Sequence, residues 1–296
     1  MPRSDLERKR QQAANAGSRA SNTLLQRLNS LIFQAVTDAL AGLAVDEAGR
    51  ILFNVRNIAA AERVGFAVQS IHDRQAGSFA GMIVRGLLRI FRINTGYFRE
   101  EPTPVELTSS LEGRMLNLIM KAYGYDVATG QVIQGGYLAA NLRSPGHAQA
   151  ISRRISEAIA GRLQLRDFVR TFRQEFNRPG SALNAEHHYN RFARDLYHEF
   201  DRMVQNEYAQ QLGLTYVIYA GTVKDNTRPF CERRVNNIYT AEELEKWNSQ
   251  QWKGKKPGPV QVNLGGYNCR HTLSWVTEET AQAIAKRRGK EINEYN

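Results

Sequence analysis

Apolar side chains recur at three- and four-residue steps over most of this chain, and the period shortens to two only in its last quarter. Over residues 5–45, Leu24, Leu28, Leu31, Ile32, Ala35, Val36, Ala39, Leu40 and Leu43 draw one apolar stripe along a long helix that starts polar. The turn-type residues 46–50 break it. A second helix is expected over about 51–72, followed by a glycine-punctuated segment from Gly77 to Gly96. Thr103 and Pro104 are expected to open a helix reaching Tyr123, with proline where its missing N–H is harmless. Residues 124–146, rich in Gly, Ser and Asn, read as a loop region with room for a short strand. From His147 the helical period resumes, with Ile151, Ile155, Ile159, Leu163, Phe168, Phe172 and Phe176 on one side. The run 178–181 interrupts it. A long helix over 185–212 then aligns Tyr189, Phe192, Leu196, Phe200, Met203, Val204 and Tyr208, and Gly213 is placed just past its end.

Beyond Gly213 the pattern changes. Residues 215–220 are β-branched and aromatic and read as a strand, and 260–264 and 272–276 are further candidates. A turn at 225 leads into a short helix, and Thr240 with Glu243 forms a capping box that starts another. The expected fold is mainly α with a small α+β C-terminal module: long amphipathic helices, then a short-stranded sheet carrying the Cys/His motifs. The expected division is a basic helical region 1–146, a module over 147–278 and a charged tail 279–296.

Composition narrows the class. A hydrophobic share of 42% supports an ordered core. No run of about 18 apolar residues suggests a membrane span. The charged first ten residues lack a secretory apolar stretch, so synthesis in the cytoplasm is expected. Two cysteines are too few for a secreted disulfide scaffold. The net charge of +11 is spread as +6, +2 and +3 over residues 1–100, 101–200 and 201–296, so the first third is the most basic. Arg85, Arg89, Arg92 and Arg99 share one helical face if the helix runs that far, and are candidate contacts for DNA phosphates, an acidic protein wall or a membrane surface. A solvated face is the plain alternative. Lys253, Lys255 and Lys256, and the tail residues Lys286, Arg287, Arg288 and Lys290, are shorter basic clusters open to the same two readings.

Both cysteines lie in two short segments, D-N-T-R-P-F-C at 225–231 and Y-N-C-R-H at 267–271. Three readings stand side by side. In the structural one, Asp225 caps a short helix starting near Thr227, Arg228 or Arg270 pairs with a carboxylate or carbonyl, and the thiols pack as small buried groups. In the second, Cys231 and Cys269 are crosslinked, which is worth on the order of 3–4 kcal/mol for a loop of this length. In the third, zinc is held by Cys231, Cys269, His271 and a fourth ligand such as Asp225, although a Cys-x-His pair is tighter than the usual spacing. A Cys–His nucleophile is conceivable on paper. The motifs that accompany phosphate-binding, metalloprotease or esterase chemistry are missing, so no catalytic residue and no cofactor is assigned. His187 and His188 point about 100° apart on a helix and read as a surface feature.

In this order the features resemble the C-terminal domain of the phage Mu F-type head morphogenesis family, the minor head proteins of tailed phages. The resemblance covers roughly 147–278 and is sharpest at the two motifs. It matches Asp225, Thr227, Arg228 and Cys231 to the first and Asn268, Cys269, Arg270 and His271 to the second. The chain departs from the family in having Gly265-Gly266-Tyr267 where proline and histidine usually precede the second motif. His271 stands where a second cysteine is common. The resemblance implies a non-enzymatic virion head component, made in the host cytoplasm and acting in head morphogenesis. Its expected partners are the portal or major capsid protein, packaged double-stranded DNA and further copies of itself, with no membrane required. The alternatives are an enzyme or toxin-like effector with a site in residues 1–146, and a free nucleic-acid-binding protein.

Overall fold

The computed structural model describes residues 3–142, 145–288 and 292; Lys290 and the Phe192 side chain lie outside what is described. In chain order the elements are α1 (Arg3–Ala41), α2 (Val55–Glu100), α3 (Ser109–Ala122), β1 (Tyr125–Asp126), β2 (Gln131–Val132), α4 (Tyr137–Leu142), α5 (Pro145–Ala160), α6 (Leu165–Asn177) and α7 (Ala185–Leu212). They continue with β3 (Tyr216–Ala220), α8 (Pro229–Glu232), β4 (Ile238–Thr240), α9 (Ala241–Lys246), α10 (Val260–Asn263), β5 (Thr272–Val276) and α11 (Glu278–Arg287). Helix covers 65% and the sheets have only two and three strands, so the chain is mainly α with a small α+β portion, and the Cys/His residues lie near the C-terminal strands. Among the described residues no helix is long and apolar enough to cross a membrane.

Several boundaries differ from those expected. A single helix, α2, replaces the expected 51–72 helix and glycine-punctuated segment. Gly77, Gly86 and Gly96 each cost about 1 kcal/mol of helix propensity, less than burial of the apolar face they interrupt returns. α3 starts at Thr108, whose hydroxyl accepts from Leu111 N, rather than at Thr103. A break at 161–164, with Arg162 at φ 46°, separates α5 from α6. Residues 260–263 are helical rather than extended, and β4 was not anticipated. Gly213, at φ 69°, ends α7 as expected.

The chain divides into two compact units that interleave in sequence. One comprises Met1–Gly17, Val84–Gln131 and Arg194–Asn296, the other Ser18–Ile83 and Val132–Ala193. α1, α2 and α7 supply residues to both. At 1.5 Å per residue each is longer than the roughly 30 Å span of a small domain.

The second unit buries Leu25, Leu28, Ile32 and Val36 of α1 with Val64 and Val68 of α2, Ile151, Ile155 and Ile159 of α5, and Phe168, Phe172 and Phe176 of α6. The α1 seam runs through Leu25 rather than Leu24, and Leu31 is exposed. Inside this unit lies a hydrogen-bonded chain that the sequence did not suggest. Tyr189 Oη is 2.7 Å from His72 Nδ1, His72 Nε2 is 3.1 Å from His147 Nδ1, and His147 Nε2 is 2.8 Å from Leu183 O. A carbonyl only accepts, so His147 Nε2 carries a proton. His147 Nδ1 then accepts from His72 Nε2, and His72 Nδ1 accepts from Tyr189. Burial pushes His72 down to about 4 and His147 to about 3. Of the expected surface pair only His187 is exposed; His188 turns inward to Ala182 O (2.8 Å), its ring 4.8 Å from that of His147.

The first unit stacks Phe98 on Tyr208, with ring centroids 4.7 Å apart, beside Phe91. Tyr197 of α7 lies against two helix glycines: a Cβ at Gly86 would fall 2.6 Å from its ring and one at Gly17 2.7 Å. Arg10 turns inward and makes a two-point bond to Asp201 at 2.9 and 2.6 Å. Thr272 and Asn94 donate to the same carboxylate. Burial alone would raise the Asp201 carboxyl, but Arg10 and these bonds hold it below the usual carboxylate range.

Candidate functional site

The three-stranded sheet has the order β4-β3-β5, all antiparallel. Its register sets Ala220, the last residue of β3, opposite Thr272, the first of β5. The segment leaving β3 and the segment entering β5 are therefore neighbours at one end of the sheet, and these segments hold the two sequence motifs. Val217, Tyr219, Leu273 and Trp275 are buried, which fixes the strands against slipping.

The first motif folds as a tight turn followed by one turn of helix. Thr227 closes the turn: its hydroxyl accepts from Lys224 N at 2.8 Å, and its N–H donates to Lys224 O at 2.8 Å. Asp225 does not cap α8 as expected. The cap position is Arg228, without a side-chain cap bond, and Asp225 stands exposed in the turn. Arg228 instead reaches the second motif, donating to Tyr267 O at 2.7 Å. In the second motif Asn268 adopts φ 59°, and its N–H donates to Asp195 Oδ1 at 3.0 Å. Burial, and then the neighbouring Glu199, raise the Asp195 carboxyl.

Cys231, Cys269 and His271 are all buried and meet at the sheet end. Cys231 Sγ is 3.9 Å from Cys269 Sγ, and Cys269 Sγ is 3.6 Å from His271 Nδ1. Both thiols are free, and the separation is far above the roughly 2.05 Å of a disulfide. The proton stays on Cys231: its hydrogen bond to Cys269 raises it and lowers Cys269, and His271 and Arg202 further lower Cys269. Arg228, Thr227, Asn268 and Arg270 face the same polar pocket of about 800 Å³, joined by Lys224 and Asn226.

Arg202 of α7, nearly fully buried, is the main support the sequence did not reveal. It donates to Cys269 O at 3.2 Å, to His271 O at 2.9 Å and to Val262 O. A signal was present: Asp195, Glu199 and Arg202 recur at helical spacing, a charged face on a helix that also carries the aromatic stripe. Arg234, half-buried, was also overlooked. Its guanidinium lies 3.9 Å from the Phe230 ring centroid and 4.5 Å from that of Trp247.

The candidate polyanion contacts separate into two groups. Arg85, Arg89, Arg92 and Lys253 are exposed. Arg99 is exposed but committed to a two-point bond with Glu112 at 2.7 and 2.8 Å. Lys255 and Lys256 are drawn inward instead: Lys255 donates to Asn248 O and Gln250 O, both at 2.6 Å, and Lys256 pairs with the buried Glu199 at 2.5 Å. A flexible basic loop is thereby converted into a strut.

A scan against protein-family models and searches of curated proteins and of solved structures find no match.

Proposed function

We propose that this chain is a non-enzymatic minor head protein of a tailed phage, acting in head morphogenesis at the portal or the inner capsid surface. The observation that carries the reading is the convergence of 225–231 and 267–271 at one sheet end, bridged by Arg228 and braced by Arg202. These segments carry the resemblance to the Mu F-type family, and the burial of Phe230, Cys231, Cys269 and His271 anchors them as one element. The long helices provide the lateral surface of an assembly component. Phe53, Val55 and Phe66 are exposed apolar side chains of a kind that partner proteins cover. Arg85, Arg89 and Arg92 form a basic stripe on α2 suited to packaged double-stranded DNA.

Mass spectrometry of purified particles against soluble lysate tests this. A fixed, low copy number per particle is the expected result, and a chain found only free in lysate overturns it. The exposed arginine stripe also favours a second reading, a free nucleic-acid-binding protein. That reading expects DNA retention by the isolated chain that falls steeply with salt and weakens when the three arginines become alanine.

A further inference from the structure

We propose that Cys231, Cys269 and His271 form a zinc site with three protein ligands and a fourth position open to the polar pocket. Their ligand atoms all lie within 4.8 Å of one another, and all three residues are buried. Zinc binds thiolate at about 2.3 Å and imidazole at about 2.0–2.1 Å, so tetrahedral geometry places two sulfurs about 3.8 Å apart and a sulfur and a nitrogen about 3.6 Å apart. The observed edges are 3.9 Å between the sulfurs and 3.6 Å between Cys269 Sγ and His271 Nδ1. Only the edge from Cys231 to His271 has to shorten.

The surroundings are shaped for these atoms. A Cβ on Gly265 would sit 2.3 Å from Cys231 Sγ and 3.3 Å from Cys269 Sγ, and a Cβ on Gly221 would sit 2.4 Å from His271 Cδ2. Two glycines, far apart in sequence, thus clear the space around one set of ligands. His271 Nδ1 faces Cys269 Sγ at 3.6 Å, and Nε2 is buried with no hydrogen-bond partner. Zinc on Nδ1 uses the nitrogen that faces Cys269, and Nε2 then carries the proton of the neutral imidazole. Charge also balances, because two thiolates and a neutral imidazole around Zn²⁺ leave no net charge to bury.

The donor set selects the ion. Two sulfurs and one nitrogen suit zinc and disfavour magnesium and calcium, which take oxygen. The fourth ligand is solvent from the pocket lined by Asn226, Arg228, Asn268 and Arg270. Arg202 holds the carbonyls of both Cys269 and His271, which fixes the spacing of the tight Cys-x-His pair.

The test uses the full chain, stripped with chelator under reducing conditions and titrated with Co²⁺ as a spectroscopic probe and then with Zn²⁺. The expected result is one cobalt per chain, with a sulfur-to-cobalt charge-transfer band and intense tetrahedral visible bands that zinc abolishes. Cys231→Ser and Cys269→Ser each weaken the charge-transfer band, and His271→Gln lowers zinc affinity by at least about tenfold while that band persists. Near-ultraviolet circular dichroism establishes that each variant is folded; the wild-type spectrum needs no variant at all. A folded wild-type chain that shows only weak, octahedral cobalt bands, or that binds substoichiometric zinc, overturns the site. So does recovery of the chain with a Cys231–Cys269 disulfide despite zinc in excess. The measurement is made on the isolated chain, so its outcome is separate from copy number in particles.

Discussion

Lowering the pH from 7.5 to 5 should cost this protein stability through His72 and His147. Both histidines are buried and neutral, and an added proton on His72 Nδ1 is hydrogen-bonded only if the Tyr189 hydroxyl reverses to donate to Leu142 O at 3.0 Å. Reversal still leaves a positive charge inside the helical unit. Asp73 is the acid that acts on His72, and its pull is weaker than burial and the opposing effect of His188. His187 and His188 oppose protonation of His147 as well. With folded values of about 4 and about 3 against 6.5 for an ordinary histidine, the unfolded chain binds more protons below pH 6.5. Stability is therefore full above that value and is lost as pH falls, the loss ceasing to grow near 4 for His72 and near 3 for His147. The linkage relation gives about 2 kcal/mol per histidine at pH 5, about 4 kcal/mol for the pair. Other groups act in the same window: His198, lowered to about 4 chiefly by burial, adds to the loss, and the raised Asp195 opposes it. The assay is urea unfolding at several pH values for the wild type, His72→Gln and His147→Gln. The quantity to compare is the change in stability with pH, which each variant should reduce by about 2 kcal/mol. Equal pH dependence in all three proteins would refute the argument, as would imidazole resonances of His72 or His147 titrating near 6.5.

Asp201→Ala removes the carboxylate that pairs with the buried Arg10 and should cost about 3–5 kcal/mol by urea unfolding, whereas replacing Arg10 and Asp201 together with Met and Leu should recover most of that. A single variant within about 1 kcal/mol of wild type would mean the pair is solvated. Gly86→Ala sets two effects against each other: about 1 kcal/mol of helix propensity gained, and about 1–3 kcal/mol lost as the new methyl meets the Tyr197 ring. A lower melting temperature is expected, and a higher one would show that the ring moves freely. Thr240→Ala removes a capping box in which Thr240 Oγ1 accepts from Glu243 N at 3.2 Å and Glu243 accepts from Thr240 N at 2.6 Å. Its expected cost is about 1 kcal/mol, read by chemical denaturation.

What the sequence made legible was whatever depends on near neighbours. The capping box at Thr240, the left-handed Gly213 after α7, and strands β3 and β5 follow from local preferences that tertiary packing does not oppose. The misreadings occur where burial outweighs propensity. α2 passes through five glycines, one of which, Gly86, admits the Tyr197 ring, and residues 260–263 coil because Val260 and Gln261 are buried and Val260 N donates to Asn248 Oδ1 at 2.8 Å. At the candidate site the sequence supplied the two cysteines and His271 but not their frame. Arg202, Arg10 and Arg234 are charged residues of the kind that normally face water. The inward turn of Arg202 and Arg10 depends on carbonyls and a carboxylate supplied by remote parts of the chain, and that of Arg234 on the Trp247 ring as well as the nearby Phe230. Asp225 was misjudged for the opposite reason: its local sequence suits a cap, but the helix starts four residues later.

The pairing of Ala220 with Thr272 makes everything between them one excursion that leaves and returns at the same place. A protease that cuts at the exposed Lys253 would break the polypeptide without separating the pieces. The fragment ending there keeps β3 and Trp252; the fragment beginning beyond it keeps β5, Tyr267 and Gly265. The two remain joined by the strand ladder, by Arg228 to Tyr267 O and by Trp252 Nε1 to Gly265 O. The same geometry allows the chain to be opened there and supplied as two polypeptides, each incomplete alone, that reconstitute the module on mixing.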